Sequence, residues 1–473
     1  MWILVLMASV SLLAQGPDRT KPPALGAAPA LKLPAIQKSR LSNGLPVWIV
    51  ELHEVPVAQV NLVVTGGSAD DPAGKFGAAS LMAAMLTEGA GTRSALEIAD
   101  AIDFLGGDLG AASGIDSSAV RLHVPVARLA EALPVMADVA LRPTFPDGDL
   151  ERLRQQRLTN LLQAQDDAST IAALALSRVL YGPAHRYGTA TLGTAASITA
   201  LTPEDLRAFH RALFRPENAT LLVIGDVTPQ TVAPLLESAF GRWGADGTRP
   251  PRPAFPAVSP RTRREIYLVD KPGAPQSQIR IGSLGVPRST PDYFPIQVMN
   301  TILGGSFSSR LNMNLREEHG YTYGATSIVD MRRQAGPFYA AAGVQTDKTS
   351  ESLVEFFKEL NGILQPVPDE ELTRAKNYLA LRFPSAFETT SDISRRLEDA
   401  IAYALPDDYF SRYVPAVGAL TAGEVQRVAR NLVRPDAVAV VVVGDRKVIE
   451  PGIRALNLGP ITLMTAEQVF GGN

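Results

Sequence analysis

Residues 201–226 read LTPEDLRAFHRALFRPENATLLVIGD, and residues 420–445 read LTAGEVQRVARNLVRPDAVAVVVVGD. The two stretches align without a gap at a constant offset of 219 residues. In each, a helical stretch leads to Arg-Pro (Arg215-Pro216 and Arg434-Pro435), an apolar run follows (Leu221–Ile224 and Val438–Val443), and Gly-Asp closes the pattern. Farther upstream, Pro146-Asp147 to Leu150 echoes Pro368-Asp369 to Leu372 at an offset of 222. Repetition of this length and order marks a duplicated unit. It predicts two homologous domains, at 35–245 and 262–460.

Outward from the repeat, the Pro-rich stretch Gly244–Arg264 separates the copies and places a linker at 246–261. Pro17 to Pro34 is rich in Pro and Ala with few large apolar residues, and reads as a second linker. Leu41-Ser42-Asn43-Gly44-Leu45 sets Asn-Gly between apolar runs, a hairpin signal, and Val47–Glu51 and Val57–Thr65 read as strands. Residues 128–140 carry Leu129, Ala132, Leu133, Met136 and Val139 at helical spacing; residues 350–364 do the same with Leu353, Phe356, Phe357, Leu360 and Leu364. Strand pairs with tight turns and covering helices predict an α+β fold, each domain a mostly antiparallel sheet covered by helices.

Composition removes several classes of function. The net charge is −3, and no basic stripe is present for a nucleic-acid backbone. There are no cysteines, so disulfides, thiolate nucleophiles and thiolate metal sites are excluded together. The five histidines are His53, His123, His185, His210 and His319; the closest pair is 25 residues apart, so they read as isolated surface or core residues. Met1–Ala14, followed by Gln15-Gly16-Pro17, reads as a secretory signal over 1–16, with an uncleaved N-terminal anchor as the alternative. No later apolar stretch is long enough to span a bilayer, so export to a periplasm or the outside is expected.

Gly66-Gly67-Ser68 ends a strand and Gly74-Lys75-Phe76-Gly77-Ala78-Ala79 opens a helix that continues Ser80-Leu81-Met82-Ala83-Ala84-Met85-Leu86-Thr87-Glu88-Gly89. Gly91-Thr92 and Leu105-Gly106-Gly107-Asp108 follow. In the second copy, Leu303-Gly304-Gly305-Ser306-Phe307-Ser308-Ser309-Arg310-Leu311 leads to Leu315-Arg316-Glu317-Glu318-His319-Gly320-Tyr321-Thr322-Tyr323-Gly324. This arrangement, over roughly 35–460, resembles the pitrilysin/insulinase-type (inverzincin) zinc peptidases. That family carries His-x-x-Glu-His on the first helix, where two histidines on one face hold zinc beside a Glu general base. Here the matching positions are Ser80, Ala83 and Ala84, and the later Glu ligand falls at Asn160. The helix face presents a hydroxyl and two methyls.

The resemblance also implies that Arg316 and Tyr323, seven residues apart, bind substrate carbonyl oxygens across the cavity from the zinc. A guanidinium and a phenol supply the donors such a role requires. The expected function follows: a non-catalytic, peptide-binding subunit of an exported zinc metallopeptidase, similar to the Arg/Tyr-bearing partner of split heterodimeric peptidases and to processing-peptidase alpha-type subunits. No cofactor is expected on this chain; zinc is expected on a homologous partner subunit bearing His-x-x-Glu-His. The competing expectation is an inert peptidase-like scaffold with no hydrolytic partner.

Overall fold

The computed structural model describes residues 34–244 and 252–471. The signal-like segment 1–16 and all but the last residue of the 17–34 linker lie outside the described residues. So do residues 245–251, which begin the second linker.

The first half folds on a six-stranded sheet. Its strands are β1 (Ile36–Arg40), β2 (Pro46–Glu51), β3 (Val57–Thr65), β6 (Asp108–Ser113), β7 (Ser117–Pro125) and β8 (Ala219–Gly225), while β4 (Gly89–Ala90) and β5 (Arg93–Ser94) form a separate ribbon. The second half supplies β9 (Glu265–Asp270), β10 (Gln276–Leu284), β11 (Thr322–Val329), β12 (Pro337–Gln345), β13 (Ala439–Gly444) and β14 (Ile461–Met464). The first sheet runs β1-β2-β8-β3-β7-β6, and the second, from the corresponding edge, β14-β9-β13-β10-β12-β11. Five of the six positions are equivalent strands. The sixth differs: β1 returns antiparallel to β2 through the predicted Asn-Gly hairpin, whereas β14 arrives from the C-terminal side and pairs parallel to β9.

The repeated sequence pattern builds the same piece twice. Helices Pro203–Leu213 and Ala422–Leu432 begin at Thr202 and Thr421, whose hydroxyls accept the N–H three residues on, with an acidic side chain reaching back. Each leads to a fully buried central strand, β8 or β13, paired parallel to β2 or β9. A central strand has no solvent face, so it reads as a continuous apolar run rather than an alternation.

Two helices are exchanged between the halves. Helix Ala168–Tyr181 follows the first-half elements but packs on the second sheet, where Ile171, Ala172, Ala175 and Leu176 share a core with Val269, Val441 and Val443. Its counterpart, helix Thr390–Ala402, lies on the first sheet. That contact is partly polar: Arg121 on β7 donates twice to Glu398, at 2.8 and 2.6 Å, and Asn61 on β3 donates to Ser394 and Glu398. With this exchange the described residues form one compact unit. The Pro-rich segment lies on this body: Arg252 donates to the Thr65 carbonyl, and Phe255 packs at 5.1–5.2 Å from the rings of His185 and Tyr187.

Candidate functional site

Helix Ala78–Met85 is short and apolar, and ends before the Glu88-Gly89 to which the sequence pattern carried it. Leu81, Met82 and Met85 are fully buried, which fixes their face as core. Its first turn is fastened by Asp71, whose carboxylate accepts from the N–H groups of Gly77 (2.7 Å) and Ala79 (2.8 Å). Burial nevertheless pushes the Asp71 carboxyl up to about 7, against those two N–H groups and Arg186. Gly77 has φ +91°, and a Cβ there would meet the Leu192 carbonyl oxygen at 2.3 Å, so the loop around Leu192 closes tightly on the helix start.

That closure decides the fate of Ser80. Its hydroxyl donates to the Thr191 carbonyl at 2.9 Å. From helix Asp147–Ala164 comes the buried Arg157, which donates to the Ser80 hydroxyl and to the Ser80 carbonyl, both at 2.8 Å. Arg157 forms no ion pair with a described carboxylate. Burial pulls its pKa down to about 10, partly offset by Asp71. Ala83 is buried, Ala84 half-buried and Asn160 exposed with no side-chain hydrogen bond to a described residue. Of the residues singled out on the first copy, only Ser80 is engaged, and its partner is Arg157. Arg157 lies one turn before Asn160 on the same helix, and nothing in the sequence pattern singled it out.

The second-copy pair is arranged in the opposite manner. Chain 310–318 begins as one α-turn and widens into a π-turn at Met313–Glu318, after which Gly320 (φ +65°) turns the chain into β11. The Gly320 N–H donates to the Arg316 carbonyl and the Tyr321 N–H to the Leu315 carbonyl. Arg316 stacks 4.7 Å over Phe307 and places Nε 3.3 Å from Glu317. At the start of β11 the pairing with β12 slips between Thr322 and Ala325, and Tyr323 lies in that irregularity. Such bulges re-aim side chains at sheet edges. Tyr323 is 89% exposed, and its hydroxyl bonds to no described residue. A π-turn and an edge bulge thus present both side chains outward. Neither irregularity was visible in the residue pattern.

The histidines do not assemble a centre. His210 is buried, its Nε2 2.9 Å from the Ala140 carbonyl and its pKa lowered to about 4 by burial. His185 is also buried and lowered to about 4. His53 corrects the sequence expectation of isolation: it lies between Asp226 (2.7 Å) and Glu51 (3.1 Å), and hydrogen bonds to these carboxylates raise its pKa. Among the described residues no group of three His, Asp or Glu is placed to hold a metal ion. Nor is any described helix long and apolar enough to cross a membrane.

Two similar sheet-and-helix halves, one carrying a remodelled helix pair and the other an outward Arg/Tyr pair, define a peptidase-like α+β body. The family described as Insulinase (Peptidase family M16) matches residues 47–194, and the one described as Peptidase M16 inactive domain matches residues 200–379. The chain belongs to this M16, insulinase-type peptidase family. An "Uncharacterized zinc protease" of Mycobacterium bovis is 28% identical over 344 residues, covering 72% of this chain and 77% of the relative. One of Streptomyces coelicolor is 25% identical, covering 84% and 87%. Among solved structures, a peptidase M16 inactive domain from Pseudomonas fluorescens superposes with TM-score 0.77 at 27% identity, covering 86% of this chain and 98% of that one. A protease from Helicobacter pylori shares the fold at TM-score 0.79, 20% identity and coverage of 87% and 100%.

Zinc is named in those relatives, but the residues here do not fit it. The one oxygen at the first ligand position, on Ser80, is already bonded by a guanidinium, and the other positions are methyls and an exposed amide. A cation 2.8 Å from the would-be ligand atom opposes a divalent ion rather than recruiting one.

Proposed function

We propose that this chain is the non-catalytic, substrate-binding subunit of an exported zinc metallopeptidase that degrades peptides. It works with a homologous partner that carries His-x-x-Glu-His and the zinc. The observation that carries this reading is the freedom of the Tyr323 hydroxyl, with Arg316 half-exposed seven residues earlier, in a chain whose Ser80 is bonded by Arg157. A peptide backbone offers carbonyl oxygens as acceptors, and the guanidinium and phenol supply donors of matching type. In the assembled enzyme, Arg316 and Tyr323 would orient an extended peptide or stabilise charge on its carbonyl oxygen, while hydrolysis takes place on the partner. The apolar stretch Trp2–Ala14 supports placing the complex in a periplasm or outside the cell.

Affinity purification of the chain from its native extract tests the assembly. Recovery of a similar-sized chain with His-x-x-Glu-His, and peptide hydrolysis by the pair, is the expected result. Recovery of the chain alone, inert toward peptides, would favour the scaffold reading.

A further inference from the structure

The second half holds a cavity of about 460 Å³ between helices Tyr293–Leu303, Asp369–Arg382, Thr390–Ala402 and Tyr409–Ala419. Helices Tyr293–Leu303 and Asp369–Arg382 hold the places in the second half's element order that helices Ala78–Met85 and Asp147–Ala164 hold in the first. The offset of 222 residues that relates Pro146–Leu150 to Pro368–Leu372 carries Asn160 onto Arg382, which lines this cavity. In the first half Arg157 closes on Ser80, whereas the cavity beside the second pair of helices is open and walled by four arginines: Arg288, Arg382, Arg395 and Arg396.

The charges do not balance within the protein. Asp392 and Asp399 are the lining carboxylates, so four guanidinium groups face two acids. The single ion pair among them is the long contact of Arg395 with Asp392, 3.9 Å. Arg382 donates to the Tyr378 hydroxyl at 2.7 Å. Arg288 and Arg396 make no side-chain hydrogen bond and no ion pair with any described residue. Arg288 is held instead by ring stacking, 3.8 Å over Tyr293 and 5.1 Å over Tyr409. Stacking fixes a guanidinium without consuming its N–H groups, which leaves the donors available to an oxyanion. Tyr413, almost wholly buried and stacked at 4.1 Å on Phe383, lines the same space and its hydroxyl hydrogen-bonds to no described residue.

We infer that this cavity is a binding site for a small organic or inorganic oxyanion carrying about two negative charges, bound through Arg288 and Arg396 with Tyr413 as a further donor. The excess of two positive charges sets the charge of the ligand. Carboxylates and phosphates share the required planar or tetrahedral array of acceptor oxygens, and arginine engages both through paired N–H donors. The site lies on different residues from the Arg316/Tyr323 pair, and the inference does not depend on the peptide-binding reading.

Calorimetric titration of the full chain with inorganic phosphate and with succinate, each close to two negative charges, at matched ionic strength and with chloride as control, tests it. Saturable one-site binding of at least one probe is expected, and the stronger of the two distinguishes a phosphate from a carboxylate ligand. Binding should fall by about tenfold or more in Arg288→Gln/Arg396→Gln. If that variant does not fold, the exposed pair Arg382→Gln/Arg395→Gln carries the same expectation in direction. Absence of binding by both probes, or binding that is unchanged in a folded variant, would overturn the assignment.

Discussion

Ser80 and Tyr323 both occupy positions that the M16 resemblance assigns to peptidase chemistry, and the protein treats them in opposite ways. The Ser80 hydroxyl is saturated, donating to Thr191 and accepting from Arg157, under a loop that passes so close that Gly77 cannot carry a side chain. The Tyr323 hydroxyl stands in solvent at a sheet-edge irregularity, and Arg316, seven residues earlier, is held over Phe307. A group absorbed into packing contributes to stability and is unavailable to a ligand. A group held outward without an internal partner contributes little to stability and remains available. The comparison therefore separates a position converted to structure from one kept open for contact.

The comparison can be broken by rebuilding the closed position. Ser80→His, Ala83→Glu, Ala84→His and Asn160→Glu together force large polar groups against Arg157 and into the buried Ala83 position. The set is expected to destabilise the fold by about 3 kcal/mol or more. It should bind no zinc by elemental analysis while Arg157 remains; a further Arg157→Met is the change expected to admit the metal. Stoichiometric zinc with Arg157 in place would show that the guanidinium does not close the site.

The first half also holds a histidine whose burial makes a separable, acid-sensitive contribution. His210 has a folded pKa of about 4, below its ordinary value of 6.5. Below pH 6.5 the unfolded chain takes up a proton that the folded one refuses, so stability falls from about pH 6.5 down to about pH 4. The contribution is at most about 3 kcal/mol, and urea unfolding across that range, compared with His210→Gln, measures it.

Ser80→Ala removes the acceptor from a buried guanidinium and is expected to cost about 1–2 kcal/mol in thermal or chemical unfolding. Arg316→Ala and Tyr323→Phe are expected to change stability by less than about 0.5 kcal/mol each. A cost at Tyr323 equal to that at Ser80 would erase the distinction between the two regions. The smallest effect belongs to His53. Its pKa is raised by Asp226 and Glu51, so its contribution is present at low pH and lost as pH rises through the raised folded value. NMR titration of its ring should place the midpoint above 6.5 in the native chain and lower in Asp226→Asn.

Much of the architecture was written in the repeat. Thr202 and Thr421 as caps, Arg-Pro as helix stop and an all-apolar central strand are local signals that packing obeyed. The exchange of helices Ala168–Tyr181 and Thr390–Ala402 was not legible, because an amphipathic pattern declares a buried face without naming the sheet that buries it. That no imidazole or carboxylate ligands stand at Ser80, Ala83 and Ala84 was plain from residue identity. What replaced them was not, since Arg157 is an ordinary helical arginine until the loop at Thr191 and the helix at Ser80 converge on it. Likewise the seven-residue spacing of Arg316 and Tyr323 was visible, but their outward aim depends on a π-turn and a bulge that no periodicity announces.

Turnover of a peptide by this chain assembled with the proposed His-x-x-Glu-His partner, compared between wild type and Arg316→Ala, tests the central claim most directly. The account predicts intact assembly and a turnover lower by about a hundredfold to a thousandfold, the loss expected when a donor to a reacting carbonyl is removed. Unchanged turnover in an intact Arg316→Ala complex would contradict it.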